Sequence, residues 1–167
     1  MLGEIMRWQG ADPEQLLRAY QQQAQDDFWL NFNLANVLIE KNSEESLRYL
    51  QAALAIRPGH VFVQSRLGFF YLARDDLAQA GQWFNKCLEE DPNYAHARAG
   101  LADIMRKEGK LEEANRQLEL AGEQLKGTPR FGALCYERGQ ILLAIGDKQA
   151  AKAKFEKSIE ANSDLFP

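Results

Sequence analysis

Apolar and small residues recur along this chain at helical spacing, in paired blocks separated by short polar turns. Val61 to Pro92 shows the pattern most clearly. It reads VFVQSRLGFFYLA, then a turn at Arg74-Asp75-Asp76, then LAQAGQWFNKCLEE closed by Asp91-Pro92. Apolar positions three and four apart predict two amphipathic helices facing one another. The same order of large and small residues returns on either side. Leu67-Gly68 is matched by Leu34-Ala35 and Leu101-Ala102, Ala80 by Ser46, Ala114 and Ala151, and Phe84 by Leu50, Leu118 and Phe155. Cys87 is matched by Ala53, Ala121 and Ser158, and Pro92 by Pro58. The step is 34 residues from Leu50 to Phe84 and from Phe84 to Leu118, then 37 from Leu118 to Phe155. A period within about 20–50 residues predicts stacked hairpins rather than one closed core.

The pattern divides the chain into a leading segment with a capping helix (1–27), four repeats (28–60, 61–94, 95–131 with an extended turn, and 132–162) and a frayed tail (163–167). Asp12-Pro13 is a helix start, because Asp caps a free N–H and proline suits the first turn. In the first repeat, Ser43 after Asn42 is expected to cap the second helix, and Arg57-Pro58-Gly59 to end it. In the second, Gly68 and Ala80 are expected to face each other, letting the axes approach to roughly 8–10 Å. Lys126-Gly127-Thr128-Pro129 supplies the three extra residues of the third step, with Thr128 and Pro129 starting the next helix. Arg138 stands where other copies have Leu34, Leu67 and Leu101. It is expected to pack its stem while its head stays wet, as an end cap would.

Charge and chemistry narrow the function classes. At 46 % hydrophobic and 26 % charged, the chain has the composition of a folded domain, not a disordered one. The net charge is −4. Residues 1–94 hold 8 Lys+Arg against 13 Asp+Glu (−5), and residues 95–167 hold 12 against 11 (+1). Neither half has the clustered positive charge that a nucleic acid demands. No run is apolar enough to insert in a membrane, and MLGEIMRWQG lacks the shape of a secretory signal, so the cytoplasm is the expected location. Cys87 and Cys135 fall at helical positions without metal or redox spacing. No nucleophile with a base, phosphate loop or metal motif can be assembled, so the reading is of a non-enzyme working without cofactor or metal.

The repeated order of Leu, small residue, Tyr, Gly-Asp-like turn, Ala, Phe, small residue and Pro resembles the tetratricopeptide repeat, over roughly residues 28 to 162. That resemblance implies an all-α, right-handed solenoid of about four antiparallel helix pairs plus the N-terminal capping helix. The stretch from Asp26 to Leu34 is also similar to repeat regions attached to some bacterial serine/threonine protein kinases.

In that family the first helix of each pair lines a concave groove for a peptide. By register, this implies Trp29, Phe32, Asn36 and Ile39 from the first repeat and Phe62, Ser65, Phe69 and Leu72 from the second. The third would supply His96, Asp103, Arg106 and Lys107, and the fourth Tyr136 and Gln140. The implied partner is a protein segment, apolar or amphipathic, with Arg106 and Lys107 meeting an acidic group beside it. The alternative is that residues 1–10 cover Trp29, Phe62 and Phe69. A family mode that grips a terminal carboxylate is disfavoured, because only Asn36 matches while Phe32, His96 and Gly100 stand where basic groups belong. The leading reading is an interaction scaffold. A regulatory or targeting region of a larger enzyme, such as a bacterial kinase, and a self-assembling module forming homo-oligomers are the alternatives.

Overall fold

The computed structural model of the protein describes residues 12–39 and 44–163, and every regular element among them is an α-helix. In chain order these are α1 (Pro13–Gln23), α2 (Phe28–Ile39), α3 (Glu44–Ile56), α4 (Val61–Ala73), α5 (Leu77–Glu90), α6 (Ala95–Lys107), α7 (Leu111–Leu125), α8 (Arg130–Ile145) and α9 (Lys148–Ser163). Each helix packs on the next in sequence, and the first helices of the second and third hairpins, α4 and α6, also touch. This neighbour-only packing makes the fold an α-solenoid.

Polar residues set the ends of the helices. Asp12 accepts the Glu14 N–H at 3.1 Å, Asp76 the Gln79 N–H at 3.0 Å and Asp147 the Ala150 N–H at 2.9 Å. These satisfy donors that the first turn leaves open. Within the hairpins, Gly109 and Gly146 take left-handed φ values of +78° and +100°, and Asp75 fills the same turn position at +61°. Thr128 departs from expectation. Its hydroxyl donates to the Leu125 carbonyl at 2.6 Å, closing α7 instead of capping α8. The expected Ser43 cap lies outside the described residues.

The core is a chain of clusters that bridge consecutive hairpins. Leu17 of α1 packs with Leu34 and Leu38, and Phe28, Ala35, Leu50 and Ala53 pack with Val63 and Leu67 of the next hairpin. The pattern repeats with Ala80, Phe84, Cys87, Ala97 and Ile104, then with Ala102, Ala114, Leu118, Ala121, Leu134 and Ile141. Ser46, at a small-residue position, is fully buried and donates to the Ala35 carbonyl at 2.9 Å.

Two expectations are corrected. Gly68 is held small by Phe84 rather than by Ala80, since a Cβ at Gly68 would overlap the Phe84 ring. The ring is wedged between Gly68 and Gly100 of the following hairpin, where a Cβ would overlap it too. Gly139 stands in the same relation to Phe155. Where the second helix carries leucine (Leu50, Leu118), the first carries alanine (Ala35, Ala102). Large residue and small residue are therefore chosen as a pair, at constant volume. Arg138 is also not wet. It is 8 % exposed, and its guanidinium donates to Asn115 and Glu119 of α7, both at 3.1 Å. The charge is satisfied by the preceding hairpin, so the head can turn inward.

Candidate functional site: the wall of first helices

Alternate helices α2, α4, α6 and α8 share one face of the stack. A depression of about 460 Å³ on that face is lined from all four: Phe32 and Asn36 on α2; Phe62, Ser65, Arg66 and Phe69 on α4; Tyr94 and His96 at the start of α6; and Arg130 on α8. A single hollow touching four parallel helices requires the wall to curve inward. Phe62 is 53 % exposed there, an unusual position for a large ring.

The rings form a continuous row. Phe28 stacks on Phe32 at 6.0 Å and meets Trp29 edge-on at 5.0 Å. His60 lies 4.6 Å from Phe28 and 5.7 Å from Phe62, Phe62 meets Tyr94 edge-on at 5.7 Å, and Tyr94 lies 5.5 Å from His96. Arg57 covers Phe28 from 4.5 Å. The row follows from the repeat itself, because His60 and Tyr94 both directly precede a first helix.

The electrostatics of this hollow are one-sided. Burial, then Arg130 and Arg66, push the His96 imidazole below its ordinary pKa. Burial and Arg57 do the same to His60. Both rings are therefore neutral at pH 7. Burial raises the Tyr94 phenol, with Ser65 as a hydrogen-bonding neighbour opposing the shift. Among the described residues no carboxylate lines the hollow, and the fixed charges they bring to it are the guanidinium groups of Arg66 and Arg130.

A second, smaller hollow of about 220 Å³ lies further along the wall, between α6 and α8. It gathers Asp103, Arg106, Glu137 and Gln140 over Ala99, Ala102, Leu118 and Ile141. Its charges meet one another. Arg106 donates to Asp103 at 2.8 Å, and burial lifts the Glu137 carboxyl above the usual range while Arg130 and Arg106 oppose it.

Of the residues expected on the groove, Phe32, Asn36, Phe62, Ser65, Phe69 and His96 come together in the first hollow, and Asp103, Arg106 and Gln140 in the second. Trp29, 44 % exposed, belongs to the ring row, and Ile39 is half-buried at the end of α2. Leu72 sinks into the core beside Ala80 and Phe84. Tyr136 lies against Phe155 of its own hairpin at 5.6 Å. Lys107 binds Asp75 in the turn of the second hairpin at 2.7 Å. The acids that Arg106 and Lys107 meet are thus the chain's own. Register missed Arg66, Arg130, His60 and Tyr94. For the last two, the 34-residue interval between them was a signal already in the sequence.

Known proteins fit this geometry. A tetratricopeptide-repeat family model matches residues 71–137, and a second matches residues 133–165. The chain belongs to the tetratricopeptide-repeat family. Among solved structures similar to this tetratricopeptide-repeat chain, pilF of Pseudomonas aeruginosa superposes with a TM-score of 0.75 at 21 % identity, covering 81 % of this chain and 61 % of that one. A thermophilic TPR protein of Thermus thermophilus gives 0.75 at 18 % identity, covering 89 % and 81 %. MamA of Desulfovibrio magneticus gives 0.70 at 16 %, covering 93 % and 86 %. At these identities the likeness is one of fold. Mouse Protein O-mannosyl-transferase TMTC3 is 28 % identical over 145 residues, covering 76 % of this chain and 15 % of the mouse protein. The chain therefore spans about 15 % of the length of the curated relatives it matches.

Two general facts complete the site. Among the described residues, no group of three or more His, Cys, Asp or Glu could hold a metal, and no helix is long and apolar enough to cross a membrane. Cys87 and Cys135 are free and buried, and burial pushes the Cys87 thiol up to about 12, so it stays protonated at neutral pH.

Proposed function

We propose that this tetratricopeptide-repeat chain is a non-catalytic scaffold that holds an extended or helical segment of a partner protein against the wall of first helices. The observation that supports this is the aromatic hollow. Rings from three successive first helices line or flank the hollow, with Trp29 and Phe62 exposed to water, and a guest's apolar side chains would recover that apolar area at roughly 25 cal/mol per Å². The guest is an apolar or amphipathic segment. Aromatic side chains of this sort form the anchoring contacts of most protein interfaces.

Affinity capture from native extract tests the reading, with the full wild-type chain and Phe62→Glu as parallel baits. Phe62 is half-exposed, so the variant keeps its helical circular dichroism and melting temperature. The expected result is that at least one partner is lost with Phe62→Glu. A folded Phe62→Glu chain that keeps every wild-type partner contradicts it.

A second reading makes the chain the regulatory or targeting part of a larger enzyme. One observation favours it: the mouse relative carrying the matched stretch is a much longer protein named as a transferase. On this reading the chain alone shows no turnover, and the wall recruits the enzyme's substrate or regulator.

A further inference from the structure

The charges around the aromatic hollow are arranged in an unusual way. Six of the eight other arginines among the described residues have a hydrogen-bonding, ionic or ring partner, Arg98 among them through Gln117 and the Pro92 carbonyl. Arg18 pairs with Glu14 and Glu45, Arg74 with Glu44, Arg106 with Asp103 and Arg138 with Glu119, while Arg57 lies over Phe28. Arg66 and Arg130 are exposed, and neither has an ion pair, a hydrogen bond or a ring beneath it among the described residues.

Their placement also costs the fold something locally. Arg130 is the first residue of α8, whose first turn carries no acid. A cation there opposes the positive end of the helix dipole. Arg66 sits in the middle of α4, a helix with no Asp or Glu along its length, so no neighbour one turn away can neutralise it. Both lie close enough to His96 to depress its protonation, and they therefore repel each other as well. Glu137 further along α8 feels Arg130 electrostatically, but neither arginine has a carboxylate within ion-pair distance among the described residues, and a cation left so beside a hollow marks a place open to an outside group.

We propose that the guest in the aromatic hollow carries a carboxylate side chain next to an apolar one, and that Arg66 and Arg130 are the groups that read the acid. This rests on the wall being a peptide-binding surface. It moves recognition of the acidic group away from Arg106 and Lys107, whose charges are already paired, to two arginines outside the groove register. Guanidinium groups suit this task because their planar forks match a carboxylate geometrically. The rings beside them exclude water, which strengthens the contact. A nucleic acid fits less well, since two cations on an acidic chain do not make a phosphate track.

The test selects the full chain against a displayed library of random short peptides, in low and in physiological salt. Four baits are compared: wild type, Arg66→Glu/Arg130→Glu, Arg106→Glu and Phe62→Ala. The expected result is that wild type and Arg106→Glu enrich peptides with Asp or Glu next to an aromatic or aliphatic residue. The double reversal enriches Lys and Arg instead, and Phe62→Ala enriches little. A synthetic wild-type selectant should bind the double reversal on the order of tenfold more weakly or worse, and should weaken in salt. Both reversed side chains are exposed and unpaired, so melting temperatures stay near wild type.

Several results would overturn the proposal. Enrichment that needs Phe62 but shows no acidic bias leaves the groove standing and removes the role of the two arginines. Enrichment indifferent to Phe62 and to both arginines, or no enrichment at all, removes the groove as well. Peptides retained by a fifth bait, Trp8→Ala, and not by wild type would make residues 1–10 the occupant. A fluorescent single-stranded oligonucleotide bound by wild type and lost in the double reversal would make the ligand a nucleic acid.

Discussion

The second and third hairpins share one backbone plan and fill it differently. Inside, the second pairs Gly68 with Phe84, and the third pairs Ala102 with Leu118. On the wall, the second shows Phe62, Phe69 and an unpaired Arg66, while the third shows Asp103 and Arg106 bonded to each other. The difference teaches that shape and stickiness are set separately. The hidden pair needs only constant volume to keep the hairpins in step. The wall residues are free to vary, and that freedom lets one hairpin present exposed rings while the next satisfies its own charges.

The hidden pair gives the largest expected effect. Phe84 has no exposed surface and is wedged between two glycines, so Phe84→Ala should cost about 3–5 kcal/mol in urea unfolding. Phe62→Ala, on the wall of the same hairpin, should change stability by less than about 0.5 kcal/mol. A loss below about 1 kcal/mol at Phe84 would mean that the ring is not the wedge described.

A smaller effect separates the two pairings. Gly→Ala in a helix ordinarily stabilises by roughly 0.5–1 kcal/mol. At Gly68 the new methyl meets Phe84, so Gly68→Ala should instead destabilise by about 1–3 kcal/mol. Adding Phe84→Leu recreates the pairing of the third hairpin. The double variant should then be more stable than the sum of the single changes predicts, with a coupling of roughly 0.5–3 kcal/mol. Additive costs would break the comparison.

The smallest effect is on pH. His60 and His96 have folded pKa values below the ordinary 6.5, so the unfolded chain takes up protons more readily just below that pH. Stability from this source is present above the unfolded pKa and falls as pH drops from there toward the folded values. Glu137, raised from 4.5, acts with the opposite sign: its contribution favours folding as pH falls into the window just above 4.5. Urea midpoints followed downward from about pH 7.5 should therefore decline. The decline should be shallower in His60→Gln/His96→Gln, whereas an unchanged slope would place the imidazoles in water.

The architecture was legible because its signal is redundant. Small and large residues recur at one interval, and turns, caps and prolines agree with them. The size pairing was also in view, as Gly68 with Phe84 and Gly139 with Phe155 against Ala35 with Leu50, but the ring's second neighbour, Gly100, comes from the next hairpin and breaks register. Arg138 was misread for a similar reason. Its partners Asn115 and Glu119 lie on the preceding hairpin, and a pattern read one repeat at a time does not bring them together. The wall was half legible. Register located Phe62 and Phe69, yet it could not tell a paired cation from a free one, because Lys107 finds Asp75 and Arg106 finds Asp103 only in three dimensions.

The central claim is that a guest lies on the wall of first helices. A photo-crosslinking amino acid placed at position 62 in the full chain, compared with one at the exposed Leu120 of α7, tests it most directly. The account predicts that position 62 captures a peptide of a partner protein and position 120 does not. Capture at position 120 with none at position 62 would contradict it.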